Sequence, residues 1–268
     1  MTSLAAAIRK ALETADPRAK VMAAREVARD WRLGRLDFAF DCEMPERPAR
    51  PERPELLAPR LMPKRRRGGS ESGRIALWHS LAHIEFVAID LALDMAGRFG
   101  GQMGAGFVSD FLKVAADEAM HFAIIQRHLA TMGATYGDLP AHDGLWEAAH
   151  GTRHDVAARL AVVPMVLEAR GLDVTPATIE RVRAAGDETG VRILSRILDD
   201  EIVHVRIGTS HFASVASARG EVMERFWKMQ VIRHFSGAVK PPFNDSARLA
   251  CGLSRDMYHA VALVGAPL

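Results

Sequence analysis

Two short stretches of the sequence carry the same three polar residues at the same spacing. They are "DEAMH", residues 117–121, and "DEIVH", residues 200–204. In a helix, residues three apart project from one face, so the Glu and the His of each stretch can reach the same ion. The spacing therefore predicts two equivalent pairs of metal ligands, Glu118 with His121 and Glu201 with His204.

The repetition extends beyond these two stretches. A shift of 83 residues also places further polar residues on their own kind: Glu85 on Glu168, Asp90 on Asp173 and His128 on His211. A third Glu-x-x-His pair, Glu147 with His150, has no preceding Asp and lies in a loose connection between helices. It shows how easily a single pair arises by chance, so one pair alone carries no weight. The shared register indicates an internal duplication of a helical hairpin.

Glu85 and Glu168 complete the candidate metal centre. Each lies within an apolar segment, where a carboxylate would cost on the order of several kcal/mol unless it were paired or coordinated. Carboxylates and imidazoles together suit iron(II) or manganese(II) better than zinc, which is often held by thiolates. We predict a site for two metal ions, bound by Glu85, Glu118, His121, Glu168, Glu201 and His204.

The repeated aspartates are candidates for supporting these ligands. Asp117 and Asp200 each precede a ligand histidine by four residues, and either could accept an imidazole N–H and so fix which nitrogen faces the metal. Asp90 and Asp173 are placed in the same supporting group.

Four further histidines lie close to the ligands in the sequence. His128 and His211 are predicted to be hydrogen-bonded core residues, with a place in a proton path as the alternative. His79 and His83 precede Glu85, and we expect a supporting or surface role for them rather than metal binding.

One alternative explains buried polar residues without a metal. In it, the glutamates form buried ion pairs with protonated histidine and with Arg170 or Arg206. This reading accounts for polar side chains inside a bundle but not for their repeated spacing.

An all-α protein is expected to hold these residues. Strand signals are nearly absent, and Ala, Leu, Arg and Glu dominate long stretches. Pro164 should bend the third helix, while Thr175 should cap a short helix that begins at Pro176. Four long helices are predicted, at about 74–97, 107–132, 153–172 and 188–218.

The flanking segments divide the chain into three parts of one compact unit. Residues 1–73 are predicted to hold two helices, 3–14 and 17–32, and an extended arm rich in proline and arginine. Residues 74–218 would form the bundle, and residues 219–268 a helical C-terminal extension.

The arm carries a local excess of positive charge. Residues 46–67 contain eight Lys or Arg and three Glu. We favour an arm wrapped over the helical body, and a contact with RNA or another anion is the alternative.

The composition excludes several other classes. The chain has 268 residues and a formal charge of +2, so no overall field favours nucleic acid or a membrane. Cys42 and Cys251 are too few for a disulfide framework, and their spacing fits no zinc module. The first residues build no signal-peptide core, and no apolar run reaches the ~18 residues of a membrane span, so we expect a cytoplasmic protein.

The ligand pattern resembles the ferritin-like superfamily. From the arm at 45–67 to "KPPFNDSARLACGLSRDMY" at 240–258, the whole chain resembles a bacterial family named as domain of unknown function 455. The resemblance implies a ferritin-like four-helix bundle and the six metal ligands above, but no particular reaction. A more distant likeness in motif is to the ferritin-like tRNA hydroxylase, whose RNA substrate the basic arm would suit.

These features favour an oxidoreductase that activates O2 with two iron ions and acts on an unknown organic substrate, such as a modified nucleoside in tRNA. No flavin or iron–sulfur motif is present, so a separate electron donor is expected. Manganese-dependent peroxide disproportionation, iron storage and a purely structural metal site are the rivals. Neither tyrosine, Tyr136 or Tyr258, lies beside a ligand in the sequence, which weakens the analogy with radical-generating enzymes.

Overall fold

The computed structural model describes residues 2–63 and 70–262, and it confirms the all-α class. The chain divides into two compact units, residues 1–147 and 148–268. This boundary falls inside the predicted middle segment, 74–218. The basic cluster of the arm lies outside the described residues, namely Lys64, Arg65, Arg66 and Arg67.

The first unit is built around a long helical hairpin. Helices α3 and α4 pack side by side, α2 packs on α4, and α1 packs on both α2 and α3. The two short strands form a parallel pair. In chain order the elements are β1 (Thr2–Ser3), α1 (Leu4–Leu12), α2 (Pro17–Arg32), β2 (Leu36–Asp37), a 3-10 turn (Pro59–Leu61), α3 (Glu71–Met103), α4 (Ala105–Ala130) and α5 (Gly144–Gly151), which begins in this unit.

Local capping explains where these helices begin and end. Asp16 accepts a hydrogen bond from the Ala19 N–H at 2.7 Å, and Pro17 follows as the first helical residue, as the sequence predicts. Helix α3 continues six residues past its predicted end at 97, because its C-terminal glycines stay helical. It stops at Gly104, whose φ of 91° lies in the region that favours glycine.

The proline-rich arm runs in extended conformation along the first unit. The Ala49 N–H donates to the Leu12 carbonyl at 2.9 Å. Further along, Leu57 N–H donates to Ala141 O at 2.8 Å, and Ala141 N–H donates to Glu55 O at 2.9 Å. Backbone hydrogen bonds thus hold the arm to the end of α1 and to the loop before α5.

Helix α3 is unusually apolar. It is the one described helix that is long and apolar enough to cross a membrane, although 67% of its most apolar window is buried inside the protein. It also carries the buried residues Glu85, Asp90 and Asp94. Burial and buried charges are typical of the core helix of a globular protein, which can be as long and as apolar as a membrane span.

The second unit contains the equivalent hairpin. Its first half is α6 (Val156–Val162), a π-helical segment (Val163–Glu168) and α7 (Ala169–Ala184). Its second half is α8 (Glu188–Ala218). Helix α9 (Met223–His234) packs on α6 and α8. Helix α10 (Asp245–Ala250) packs on α7 and α8, and α11 (Arg255–Ala262) packs on α9.

The bend expected at Pro164 takes the form of the π-helical segment. Proline has no N–H to donate to the preceding turn, which disrupts the regular ladder. Helix α8 approaches closely here: a Cβ placed on Gly208 would lie 2.3 Å from the Pro164 Cβ. Glycine at 208 is therefore required for this contact.

The predicted helix start at Thr175 and Pro176 is wrong. Helix α7 runs through both residues without interruption. Pro176 cannot donate to the Leu172 carbonyl, but the side-chain amide of Asn244 donates to that oxygen at 3.1 Å. A residue far along the chain thus supplies the hydrogen bond that the proline lacks.

Candidate metal centre

Three of the predicted ligands converge in the core of the first unit. Helix α3 contributes Glu85, and α4 contributes Glu118 and His121; all three are buried. The His121 Nδ1 lies 3.1 Å from a Glu118 oxygen and 3.3 Å from a Glu85 oxygen. One ligand atom from each residue lies within 4.8 Å of the others. The spacing of a metal-binding group is therefore present without any rearrangement of the backbone.

The group has the electrostatics of a cation site. Burial, followed by the negative charge of Glu118, raises the pKa of Glu85 well above its ordinary value. Burial alone would lower the pKa of His121, but hydrogen bonds and charges from Glu118 and Glu85 outweigh it and raise this pKa to about 11. Two buried carboxylates thus compete for the proton of one imidazole, and a divalent cation could take its place.

The second unit carries the corresponding ligand types at the corresponding positions. Glu201 and His204 lie on α8, with His204 Nδ1 3.6 Å from a Glu201 oxygen and His204 buried. Glu168 is the last residue of the π-helical segment and is half-buried. Each hairpin therefore places one Glu on its first half and a Glu-x-x-His pair on its second half.

The four repeated aspartates lie in two different environments. Asp117 and Asp200 each pair with a cation four residues earlier on the same helix, Lys113 at 2.6 Å and Arg196 at 2.7 Å. Whether they also orient the ligand imidazoles remains a prediction.

Asp90 and Asp173 have side chains with no exposed surface. Asp90 binds the Lys20 ammonium at 2.6 Å and the Arg50 guanidinium. Asp173 binds Arg248 through two hydrogen bonds, at 2.8 and 2.7 Å. Both aspartates thus join the hairpins to residues from outside them.

Two repeated histidines are less alike than the sequence suggests. His128 is buried, with its ring edge-to-face with Trp78 at 4.4 Å between centroids. His211 is half-buried on α8. The packing on Trp78 agrees with a core role for His128.

A histidine–tyrosine cluster beside the first ligand group was not foreseen. His83 Nδ1 lies 2.9 Å from the Tyr136 hydroxyl, and His83 Nε2 lies 3.1 Å from the His142 carbonyl. Because a carbonyl can only accept, Nε2 carries the proton and Nδ1 accepts from the tyrosine. Burial, ahead of the other effects, lowers the pKa of His83 to about 4.

Tyr136 itself is remote from the ligands in the sequence but not in space. The centroid of its ring lies 5.3 Å from that of Phe86 and 5.2 Å from that of Phe122. These phenylalanines directly follow Glu85 and His121 in the chain. His79 stacks on the same ring at 5.6 Å. The only sequence signal was the pair of histidines four residues apart on α3, since nothing local marks the loop that holds Tyr136.

The arginines of the metal-free alternative have other partners. Arg170 donates to the carbonyls of Lys240 and Pro242, at 2.8 and 3.0 Å, and Arg206 donates to the carbonyl of Ala250 at 3.1 Å. Both therefore hold the C-terminal segment, which weakens the interpretation of the ligand glutamates as ion-pair partners of these arginines.

Comparison with known proteins identifies the family. Residues 13–259 match the family described as "Protein of unknown function (DUF455)", and the chain belongs to that family. An uncharacterized protein of Haemophilus influenzae is 42% identical over 218 residues, covering 79% of this chain and 73% of the relative. No solved structure gives a significant match.

Proposed function

We propose that this member of the family is a di-metal carboxylate protein of the ferritin-like type. The observation that carries the proposal is the buried group of Glu85, Glu118 and His121 in the first unit, whose ligand atoms lie within 4.8 Å of one another. Glu168, Glu201 and His204 enter through the repeat, because they occupy the same positions on the second hairpin.

The order of the ligands along the chain supports this assignment. Ferritin-like di-iron and di-manganese bundles take one Glu from each of two helices and a Glu-x-x-His pair from each of the other two. This chain has that order: Glu85, then Glu118 with His121, then Glu168, then Glu201 with His204. We propose iron as the metal, with manganese as the alternative, because oxygen and imidazole ligands suit both.

The reaction we propose is the oxidation of an organic substrate with O2. Two iron ions, when bound, would supply the redox chemistry that protein side chains lack. The protein would contribute a dry site, since Glu118 and His121 are 1% and 0% exposed. A separate protein would deliver electrons, and we place the reaction in the cytoplasm.

The proposal is tested by the metal content of anaerobically purified protein and by its absorption spectrum after O2 is added. We expect about two irons per chain and a transient band that depends on O2. Manganese, with release of O2 from hydrogen peroxide, would indicate peroxide disproportionation instead. Bound metal inert to both oxidants would indicate a structural site, and protein that takes up no metal would overturn the proposal.

A further inference from the structure

The C-terminal segment forms hydrogen bonds with the second hairpin immediately after Glu168. Arg170 binds the carbonyls of Lys240 and Pro242, as described above. Asn244 then donates its backbone N–H to Asp173 at 2.9 Å and its side-chain amide to the Leu172 carbonyl. These four hydrogen bonds hold Arg170, Leu172 and Asp173 at the start of α7, directly after the proposed ligand.

Arg248 makes the strongest of these contacts. Its side chain is 3% exposed, and its Nε and Nη2 donate to the two oxygens of Asp173. The guanidinium also faces the rings of Phe243 and Tyr258, at 5.1 and 4.7 Å from the centroids. A two-point bond between planar groups holds an angle as well as a distance, and the flanking rings leave the guanidinium little freedom to turn.

The first unit holds the equivalent aspartate by a different route. Asp90 follows Glu85 by five residues, as Asp173 follows Glu168. Its partners are Lys20 from α2 and Arg50 from the arm, rather than an arginine from the C-terminus. The cations differ in type and origin, whereas the position of the anchored carboxylate relative to the proposed ligand is the same. The shared feature is thus an anchored carboxylate about 7.5 Å along the helix from each glutamate, at 1.5 Å per residue.

Glu168 has a particular need for such an anchor. It ends a π-helical segment, in which the regular hydrogen bonds that set side-chain direction are interrupted. The α6 helix before that segment therefore gives a weaker constraint on its orientation than an unbroken helix would. The α7 helix after it is hydrogen-bonded to the C-terminal segment through Asp173.

We propose that Arg248 is a positioning residue for Glu168, acting through Asp173 to fix the rotation of the helix that presents this ligand. The inference rests on the proposed metal centre and names the role of the C-terminal segment in it. Arg248 touches no reacting group, and its effect would be on how tightly and in what geometry the metal is held.

Cobalt(II) is a suitable probe, because its visible absorption reports the number and arrangement of its ligands. Full-length, metal-free protein is titrated with cobalt(II) as the wild type, as Glu168→Gln, and as the charge-neutral double variant Asp173→Asn/Arg248→Met. Arg255→Met is the matched control, since Arg255 is exposed and lies on α11. Circular dichroism and urea unfolding are recorded for every protein.

We expect the folded double variant to lose affinity for the more weakly bound of the two cobalt ions, by about 10- to 100-fold. This is the usual effect of losing a residue that supports a ligand. Its visible spectrum should shift towards that of Glu168→Gln, whereas Arg255→Met should match the wild type. A purely structural contact would lower the free energy of unfolding without moving the spectrum. Wild-type affinity and spectrum in the folded double variant would therefore overturn the inference.

A second variant covers the case in which the double variant does not fold. Arg248→Lys keeps a positive charge beside Asp173 but loses the planar two-point bond, and it is read by the same two outcomes. Wild-type protein that binds no cobalt would overturn the proposed metal centre and this inference together. Cobalt binding that is altered in Glu168→Gln but normal in the wild type and in both Arg248 variants would overturn the positioning role alone. Normal binding in Glu168→Gln would instead remove Glu168 from the ligand set.

Discussion

The imidazole Nδ1 of His121 lies 3.3 Å from the carboxylate of Glu85, although the two residues belong to different helices. The same nitrogen lies 3.1 Å from the Glu118 carboxylate, so it faces two buried acids. This relationship determines how a metal ion would enter the site, because the ion must replace a tightly held proton.

Metal binding should release protons. The pKa of His121 is raised to about 11 and that of Glu85 is raised well above its ordinary value, so metal-free protein at pH 7 keeps the His121 proton. Because a ligand imidazole must be neutral, apparent metal affinity should rise with pH by about tenfold per unit for each proton displaced. Calorimetry in two buffers of different ionisation enthalpy would measure the number released. Binding with no proton release would contradict this prediction.

Glu118→Gln should lower metal content while the matched variant Glu147→Gln should not. Both residues begin a Glu-x-x-His pair, but Glu118 is buried with His121, whereas Glu147 is exposed and pairs with Arg47 at 2.6 Å. We expect loss of about half the metal or more from Glu118→Gln, measured by elemental analysis. Equal metal content in the two variants would remove Glu118 from the ligand set.

Asp90→Asn should strongly destabilise the first unit. The change leaves the buried ammonium of Lys20 and the guanidinium of Arg50 without their common counter-ion. Removing one partner of a buried ion pair costs about 3–5 kcal/mol. Glu13→Gln is the control, since it breaks an exposed, solvent-screened pair with Arg9 and should destabilise the protein far less. Urea unfolding measures both, and similar losses would show that the buried pair has no special weight.

His83 should make metal-free protein less stable in mild acid. Its pKa is about 4 in the folded protein, against an ordinary value of 6.5, so the unfolded chain binds more protons between these values. The stability from His83 is therefore complete above pH 6.5 and is lost as the pH falls towards 4. The difference in unfolding free energy between wild type and His83→Gln should shrink by about 2 kcal/mol from pH 8 to pH 5. A difference between wild type and His83→Gln that stays constant across this pH range would contradict the prediction.

If the arm contacts RNA, the intact protein should shift tRNA in a gel at low salt, and added salt should weaken the complex. Changing Lys64, Arg65, Arg66 and Arg67 together to Ala should abolish the shift. A shift that survives this change would place the contact elsewhere, and no shift with intact protein would leave the arm a structural element.

The sequence alone predicted the helical class, the two hairpins and the convergence of Glu85, Glu118 and His121. Periodicity and an internal repeat are local or self-referential signals, and both can be read without knowing which distant segments meet. The continuation of α7 through Pro176 could not be read in this way, because the compensating hydrogen bond comes from Asn244. The contact between His83 and Tyr136 was missed for the same reason. The burial of Lys20 was not foreseen either, since a lysine is seldom fully buried.

The two anchored aspartates set a limit on how small a working version of this protein can be. A chain trimmed to residues 74–218 would keep every proposed ligand but lose Lys20, Arg50 and Arg248. Asp90 would then lack both cations that it binds, and Asp173 would keep only Arg170, whose Nη1 lies 3.4 Å from its carboxylate. The segments before and after the hairpins therefore belong to the same minimal functional fold as the ligands. The family match, which runs from residue 13 to residue 259, encloses all three cations.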